Sequence, residues 1–342
     1  MFWTEELTDV LRNRLKACWR DSATGHVADL PSSAQALLVW HLVRDSGGTV
    51  LWVSETPRAL ESCLRDLRTL APPDAPPCVA FPSWECLPGQ GTATPDQRVV
   101  GARLAALTAL QTGDRPLVLA TCVQALMELT LTPELLRAHT VALKVGDEAE
   151  LADLRQQLAA AGYAAVPEIQ APGECACRGG ILDVWPLAEP LPLRLEFAGA
   201  TLESVRVFDP ASQRSVERRH AVALPPANEW QLLRSQPLQR AALWQHLPPA
   251  FIAAWADMDS LQHHAAVYAA AISEAGAGDV TIPFAETLRH CRSRATIRQL
   301  FIGAPPEPPG NTTELDFQPL ESAVPAPGAL RHPDIVEAAR NR

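Results

Sequence analysis

The chain has 342 residues, 47% of them hydrophobic and 20% charged, a composition that excludes a disordered polypeptide and is long enough for two or three domains. Its 39 acidic against 29 basic residues leave a formal net charge of −10, so the surface as a whole repels a nucleic-acid backbone and any contact with one requires a local basic patch. No apolar run reaches the ~18–20 residues of a membrane span, the N-terminal MFWTEELTDVLRNRLKACWR lacks the apolar stretch of a signal peptide, and the eight cysteines show no paired metal spacing, which together predict a soluble cytoplasmic protein with reduced thiols.

In chain order, helical spacing covers about 4–19, followed by a short strand near 26–30, a helix over about 33–45, a strand at 49–53 and a helix over about 57–70. A strand at 78–81, a helix over about 96–111 closed by Gly113, and a strand at 116–121 continue the series. Strands at this spacing, separated by amphipathic helices, read as βαβ units around a mostly parallel sheet. From about 138 to 224 the pattern changes: one helix, about 147–161, precedes period-2 runs at 180–185, 193–197, 202–208 and 221–224. Such runs predict an antiparallel sheet with one face on a helix. After Pro225-Pro226, helical spacing returns over about 237–246 and 259–275, with strands at 251–254 and near 299–302. Proline clusters at 305–310 and 324–328 then mark a linker, and 333–342 reads as the first turns of a helix that stops in mid-element.

A phosphate-binding loop needs glycines for backbone approach and a Lys-Ser/Thr pair for the phosphates and metal. The turn where it would fall, 28–36, contains neither glycine nor lysine, and Asp29 and Pro31 stand where N–H groups and positive charge are needed. No nucleotide hydrolysis is therefore expected, and Ser32 and Ser33 are expected as an ordinary helix N-cap. Cys175 and Cys177 share a strand face but have no second pair at zinc spacing, so they are expected as small core-facing residues. His263 and His264, adjacent on a helix, point about 100° apart and are expected on its surface. No nucleophile elbow or metallohydrolase motif occurs, and no catalytic residue, metal or cofactor is expected. What remains is a constellation: Arg178, Arg194 and Arg206 fall on neighbouring runs, where same-face side chains of adjacent strands converge. It reads either as a protein-docking patch, since arginine is enriched in interface hot spots and pairs bidentately with carboxylates, or as a solvated sheet face with pairs such as Arg194 with Glu203 or Glu196 with Arg206.

The run Arg178-Gly-Gly-Ile-Leu-Asp-Val-Trp-Pro, then Leu-Arg194-Leu-Glu-Phe, then Val-Arg206-Val-Phe-Asp-Pro with Ser212-Gln213-Arg214, resembles the second domain of transcription-repair coupling factors and of their relative UvrB. Phe81-Pro-Ser-Trp-Glu-Cys-Leu-Pro88 with Arg98-Val-Val-Gly-Ala-Arg-Leu104 resembles the first-domain signature of the coupling factors, and Leu224-Pro-Pro-Ala-Asn-Glu229 their return to the first sheet. The resemblance runs from about residue 20 to the end. It fits the coupling factors better than UvrB, which carries an intact phosphate loop and a long hairpin where only residues 89–94 follow Pro88 here.

The resemblance implies an α/β fold: a parallel-sheet, RecA-like domain with a degenerate phosphate loop (Asp29, Pro31, Ser32, Ser33), interrupted by an inserted α+β domain of UvrA-binding type. The implied divisions are 1–132, 133–225, 226–304 and a linker with a truncated helix at 305–342. It further implies a non-catalytic N-terminal module, as a fragment or split gene product, that recruits UvrA and hence nucleotide excision repair to RNA polymerase stalled at a lesion. Polymerase and DNA would be contacted through other domains, with no cofactor in this chain and no membrane. The docking residues implied are Arg178, Arg194, Phe197 and Arg206. The family's second phenylalanine is Ala198 here, and losing an aromatic anchor costs on the order of 2–4 kcal/mol of affinity. The alternatives are a UvrB-type nucleotide-dependent repair enzyme and a scaffold with an inactive docking face.

Overall fold

The computed structural model describes residues 23–27, 30, 32–84, 86, 94–113, 116–303 and 313–315. The helix expected at 4–19 and the stretch 333–342 lie outside them. The first elements alternate as the periodicity predicts: β1 (Thr24–Val27), α1 (Ser32–Ser46), β2 (Thr49–Ser54), α2 (Pro57–Thr69), β3 (Cys78–Phe81), α3 (Gln97–Thr112) and β4 (Leu117–Cys122). Local chemistry sets their ends. The Thr56 side chain accepts from the Ala59 N–H at 3.1 Å ahead of Pro57, Asp96 accepts from the Arg98 N–H at 2.7 Å, and α3 stops at Gly113 with φ +54. β2 and β4 are buried at every position, as central parallel strands covered on both faces must be.

Short elements follow: α4 (Val123–Met127), β5 (Thr130–Leu131), α5 (Pro133–Ala138) and β6 (Val141–Lys144). Next come α6 (Leu151–Ala160), β7 (Ala164–Ala165), β8 (Glu174–Arg178), β9 (Ile181–Val184), β10 (Leu193–Ala198), β11 (Thr201–Phe208), β12 (Ser215–Arg219) and β13 (Ala221–Leu224). The last stretch supplies α7 (Glu229–Ser235), β14 (Arg240–Ala241), β15 (Phe251–Trp255), α8 (Met258–Glu274), α9 (Phe284–Ser293), β16 (Ile297–Ile302) and β17 (Thr313–Leu315).

The parallel sheet has the order β17-β1-β16-β15-β2-β4-β3. β15 and β16, from the far end of the chain, lie between β1 and β2 and pair parallel with them. One sheet is thus built from segments on both sides of the insertion, with Trp40, Trp52 and Trp255 buried in its core. The second sheet, β12-β11-β10-β9-β8-β7, is antiparallel except for the β7–β8 pair. One face of it packs Leu182, Leu193, Leu195 and Val205 against Leu154 and Leu158 of α6. Among the described residues no helix is long and apolar enough to cross a membrane.

Four expectations change. Strand 221–224 leaves the inserted sheet and pairs with β6 in a two-stranded ribbon, Leu224 opposite Val141, which brings the entry and exit of the insertion side by side. The helix expected at 237–246 is replaced by α7, upstream, because Asn228 accepts from the Gln231 N–H at 2.9 Å and starts it there. Pro237 then prevents its continuation, and Arg240–Ala241 pair with β5 instead. α1 begins at Ser32, so Ser32 and Ser33 lie in its first turn rather than at the cap. Within the expected linker, Thr313–Leu315 adds a strand beside β1.

Candidate functional site

Strand register decides which arginines meet. Ala176, Asp183, Arg194, Arg206 and Arg218 stand opposite one another across β8, β9, β10, β11 and β12. Side chains opposite one another share a face, and alternate positions of β8, β9, β10 and β11 fill the α6-facing core. This row therefore lies on the other face, and Arg178, two residues beyond Ala176, joins it. The turn that aligns β8 with β9 is Gly179-Gly180: Gly179 has φ +59, and a Cβ at Gly180 would lie 2.6 Å from the Phe197 carbonyl oxygen. A side chain at Gly180 would displace β10, while at Gly179 it is the positive φ that favours glycine.

Arg194 is held on three sides. Its Nε and Nη2 donate to Asp183 Oδ1 and Oδ2 at 2.7 and 2.8 Å, and Nη2 donates to Gln213 Oε1 at 2.9 Å. Its Cζ lies 4.4 Å from the centre of the Phe208 ring, which belongs to a small apolar cluster with Ile169 and Ala176. The hydrogen bonds that Arg194 donates to Asp183 raise the arginine's pKa above its ordinary value. Nη1 is left for a partner. Arg206 Nη2 donates to Glu196 Oε2 at 2.7 Å, as one of the expected cross-strand pairs. The other, Arg194 with Glu203, does not form: Glu196 opposes Ser204 and Phe197 opposes Leu202, so Glu203 is the extra residue of a β-bulge. Arg178 bends toward the loop before β8, donating to the Pro167 carbonyl at 3.0 and 2.7 Å and pairing with Glu168 at 3.5 Å.

Phe197 requires a correction. Strand alternation turns it away from Arg194 and Glu196 into the α6-facing core, where it is 9% exposed. Ala198, its neighbour, is exposed on the arginine side. Asp183, Gln213 and Arg218 join the arginines on this face in addition to the residues that the sequence motifs single out. Asp183 was legible as a carboxylate at the position whose alternation matches Arg194, whereas Gln213 reaches the row through a turn at φ +57 that no periodicity announces.

A second constellation lies in the parallel layer. Arg103 on α3 is fully buried, its Nη1 donating to Glu128 Oε2 at 2.8 Å and to the Pro82 carbonyl at 2.9 Å, its Nε to Glu229 Oε2 at 3.2 Å. The guanidinium carbon lies 4.0 and 3.9 Å from the ring centres of Phe81 and Trp84. Glu128 also accepts from the Trp84 N–H at 3.1 Å and the Tyr268 hydroxyl at 2.8 Å, and Glu229 from the Thr130 hydroxyl at 2.6 Å. This cluster is what Phe81, Trp84, Arg103 and Glu229 of the quoted motifs build. Its charged groups, Arg103, Glu128 and Glu229, are fully buried, with Tyr268 partly exposed at the margin, so it is a joint rather than a binding site.

Asp29 and Pro31 lie outside the described residues, while Ser32 and Ser33 are exposed in the first turn of α1. Cys175 is buried in the core of the inserted sheet and Cys177 is half-buried beside it, both as free thiols. His263 is exposed on α8, with His264 partly so.

Residues 141–230 match the model of the UvrB interaction domain. The chain is 32% identical over 197 residues to the transcription-repair-coupling factor of Haemophilus influenzae, covering 58% of this chain and 17% of that protein. It is 38% identical over 160 residues to that of Escherichia coli, covering 45% and 14%, and 26% identical over 204 residues to that of Bacillus subtilis, covering 59% and 17%. The matched stretch spans less than a fifth of the length of these curated relatives. The chain is thus similar to transcription-repair-coupling factors and carries a UvrB interaction domain.

Proposed function

We propose that this chain is a non-catalytic recruiting module that docks UvrA through the arginine row of its inserted sheet, and so links nucleotide excision repair to RNA polymerase stalled at DNA lesions. The observation that carries this reading is the row itself. Asp183, Arg194, Arg206 and Arg218 line the solvent-side face of the sheet within the stretch that matches the UvrB interaction domain. A planar guanidinium stacked on Phe208 and held by Asp183 is preorganised for a partner carboxylate, which reduces the ordering cost of binding. In this reading the layer formed by 1–132 and 226–304 carries the inserted unit 133–225, with 305–342 leading onward. Polymerase and DNA are engaged elsewhere in the full-length protein, and the chain acts in the cytoplasm without a nucleotide of its own.

The test is a calorimetric titration of UvrA into the wild-type chain and into Arg194→Glu, with ATP hydrolysis by the chain alone recorded in parallel. Micromolar or tighter binding that the charge reversal abolishes, without turnover, is the expected result. An Ala198→Phe variant, which places a ring on the exposed arginine side, is expected to bind several-fold more tightly. A folded wild-type chain that ignores UvrA leaves the face a scaffold, and turnover by the chain alone returns the nucleotide-dependent enzyme as the better reading.

A further inference from the structure

We propose that Arg218 is the third guanidinium of the docking row, and that the row reads a partner surface carrying a line of carboxylates across the strands. This deepens the UvrA-docking reading and rests on it.

Register places Arg194, Arg206 and Arg218 directly opposite one another on three consecutive strands. Adjacent strands are ~4.8 Å apart, so the three positions lie along a line of about 10 Å. Like charges facing each other across strands destabilise a sheet. Here the conflict is relieved unevenly: Asp183 neutralises Arg194 and Glu196 neutralises Arg206. Arg218 is exposed and has no hydrogen-bond or ion-pair partner among the described residues. Its neighbours on β12 do not share its situation. Arg219 points to the opposite side, where it pairs with Glu189 at 2.8 Å and with Glu217 at 3.3 Å.

Beside two arginines that each have a carboxylate, Arg218 gains no ion pair within the fold, and it sets a positive charge at the edge of the row in a chain whose net charge is −10. Charges on an edge strand also discourage strand-to-strand association, and β12 is the edge of its sheet. That role is already served by Glu217 and Arg219, and it requires no arginine at the one β12 position opposite Arg206. What the register adds is alignment: the free Nη1 of Arg194, the Arg206 guanidinium and the whole Arg218 guanidinium offer donors in one line. A surface with two or more carboxylates at strand spacing matches that line, and its charge would speed encounter as well as hold the complex.

The experiment titrates UvrA into the wild-type chain, Arg218→Glu, Arg218→Ala and Arg194→Glu at low and moderate salt, and records the urea midpoint and oligomeric state of each. Arg218→Glu is expected to weaken binding about tenfold or more, and Arg218→Ala about threefold to fivefold, with a shallower salt dependence. The urea midpoint should stay unchanged or rise, since a like-charge neighbour has been removed; a merely structural arginine would lower it. Unchanged affinity in both Arg218 variants, with Arg194→Glu inactive, would overturn the role of Arg218 and leave the docking reading standing. Self-association of Arg218→Ala with wild-type affinity would make the residue an edge guard instead. A folded wild-type chain that does not bind UvrA removes both proposals.

Discussion

A fully buried guanidinium at position 103 faces two fully buried carboxylates, Glu128 and Glu229. One positive charge against two negative ones, with no solvent to screen them, leaves one carboxylate short of a counter-charge. Burial pushes Glu128 up to about 7, against the opposing pull of Arg103 and of the Tyr268 hydroxyl. Because its folded value lies above the unfolded 4.5, the native state binds this proton more tightly than the unfolded chain. The stabilisation from Glu128 is therefore complete below about pH 4.5 and lost as pH rises through about 7. Glu128→Gln keeps the shape and removes the titration. Its urea midpoint should fall less than that of the wild type between about pH 5 and pH 8, a difference on the order of 2 kcal/mol in unfolding free energy. A variant whose midpoints parallel the wild-type curve at every pH would place the titration in another group.

At the scale of elements, the helices and central strands were legible because their signals are local. Thr56-Pro57, Asp96 and Gly113 mark helix ends in three or four residues, and buried β2 and β4 are short apolar runs. The arginine face was legible for the same reason, since a period of two puts 178, 194 and 206 on matching sides once three runs are taken as neighbours. What escaped was non-local. The strand Arg240–Ala241, within the stretch with helical spacing at 237–246, is set by pairing with Leu131 and Thr130, and the partners of Arg103 lie 25 and 126 residues away. The contact between α3 and the β9–β10 loop is equally invisible in sequence. A Cβ at Gly101 would lie 2.2 Å from the Leu187 carbonyl oxygen, so α3 can approach the inserted unit only with glycine there. Gly101→Ala is expected to cost about 1–3 kcal/mol, because neither a helix backbone nor a carbonyl can yield by that much without shifting. Thermal unfolding and amide exchange report it, with faster exchange in 185–192 and 97–112. Wild-type values in both measurements would mean that the loop is not seated against the helix.

For the whole molecule, the strand order poses the question that the Arg103 cluster answers. The parallel sheet is complete only when β15 and β16 arrive between β1 and β2, after a long insertion that leaves and returns through the paired strands β6 and β13. Arg103 comes from before the insertion, and Glu229 and Tyr268 from after it. The cluster therefore bonds the two halves directly, and the Ala227 N–H to Ala161 carbonyl bond at 2.8 Å fastens the inserted unit two residues from Glu229. Removing the cation alone strands two buried carboxylates. Arg103→Met is expected to destabilise the chain by about 3–5 kcal/mol, whereas the combination Arg103→Met, Glu128→Gln and Glu229→Gln should recover much of that loss, since it removes the charges together. The arginine row sits on a different sheet with its own core, so, under the docking proposal, any of these variants that remains folded should match the wild type in UvrA titration. Urea denaturation and UvrA titration of the same samples separate the two effects: stability lost with affinity intact makes the cluster a clasp between the halves, whereas affinity falling in step with stability would show that the joint also sets the docking face.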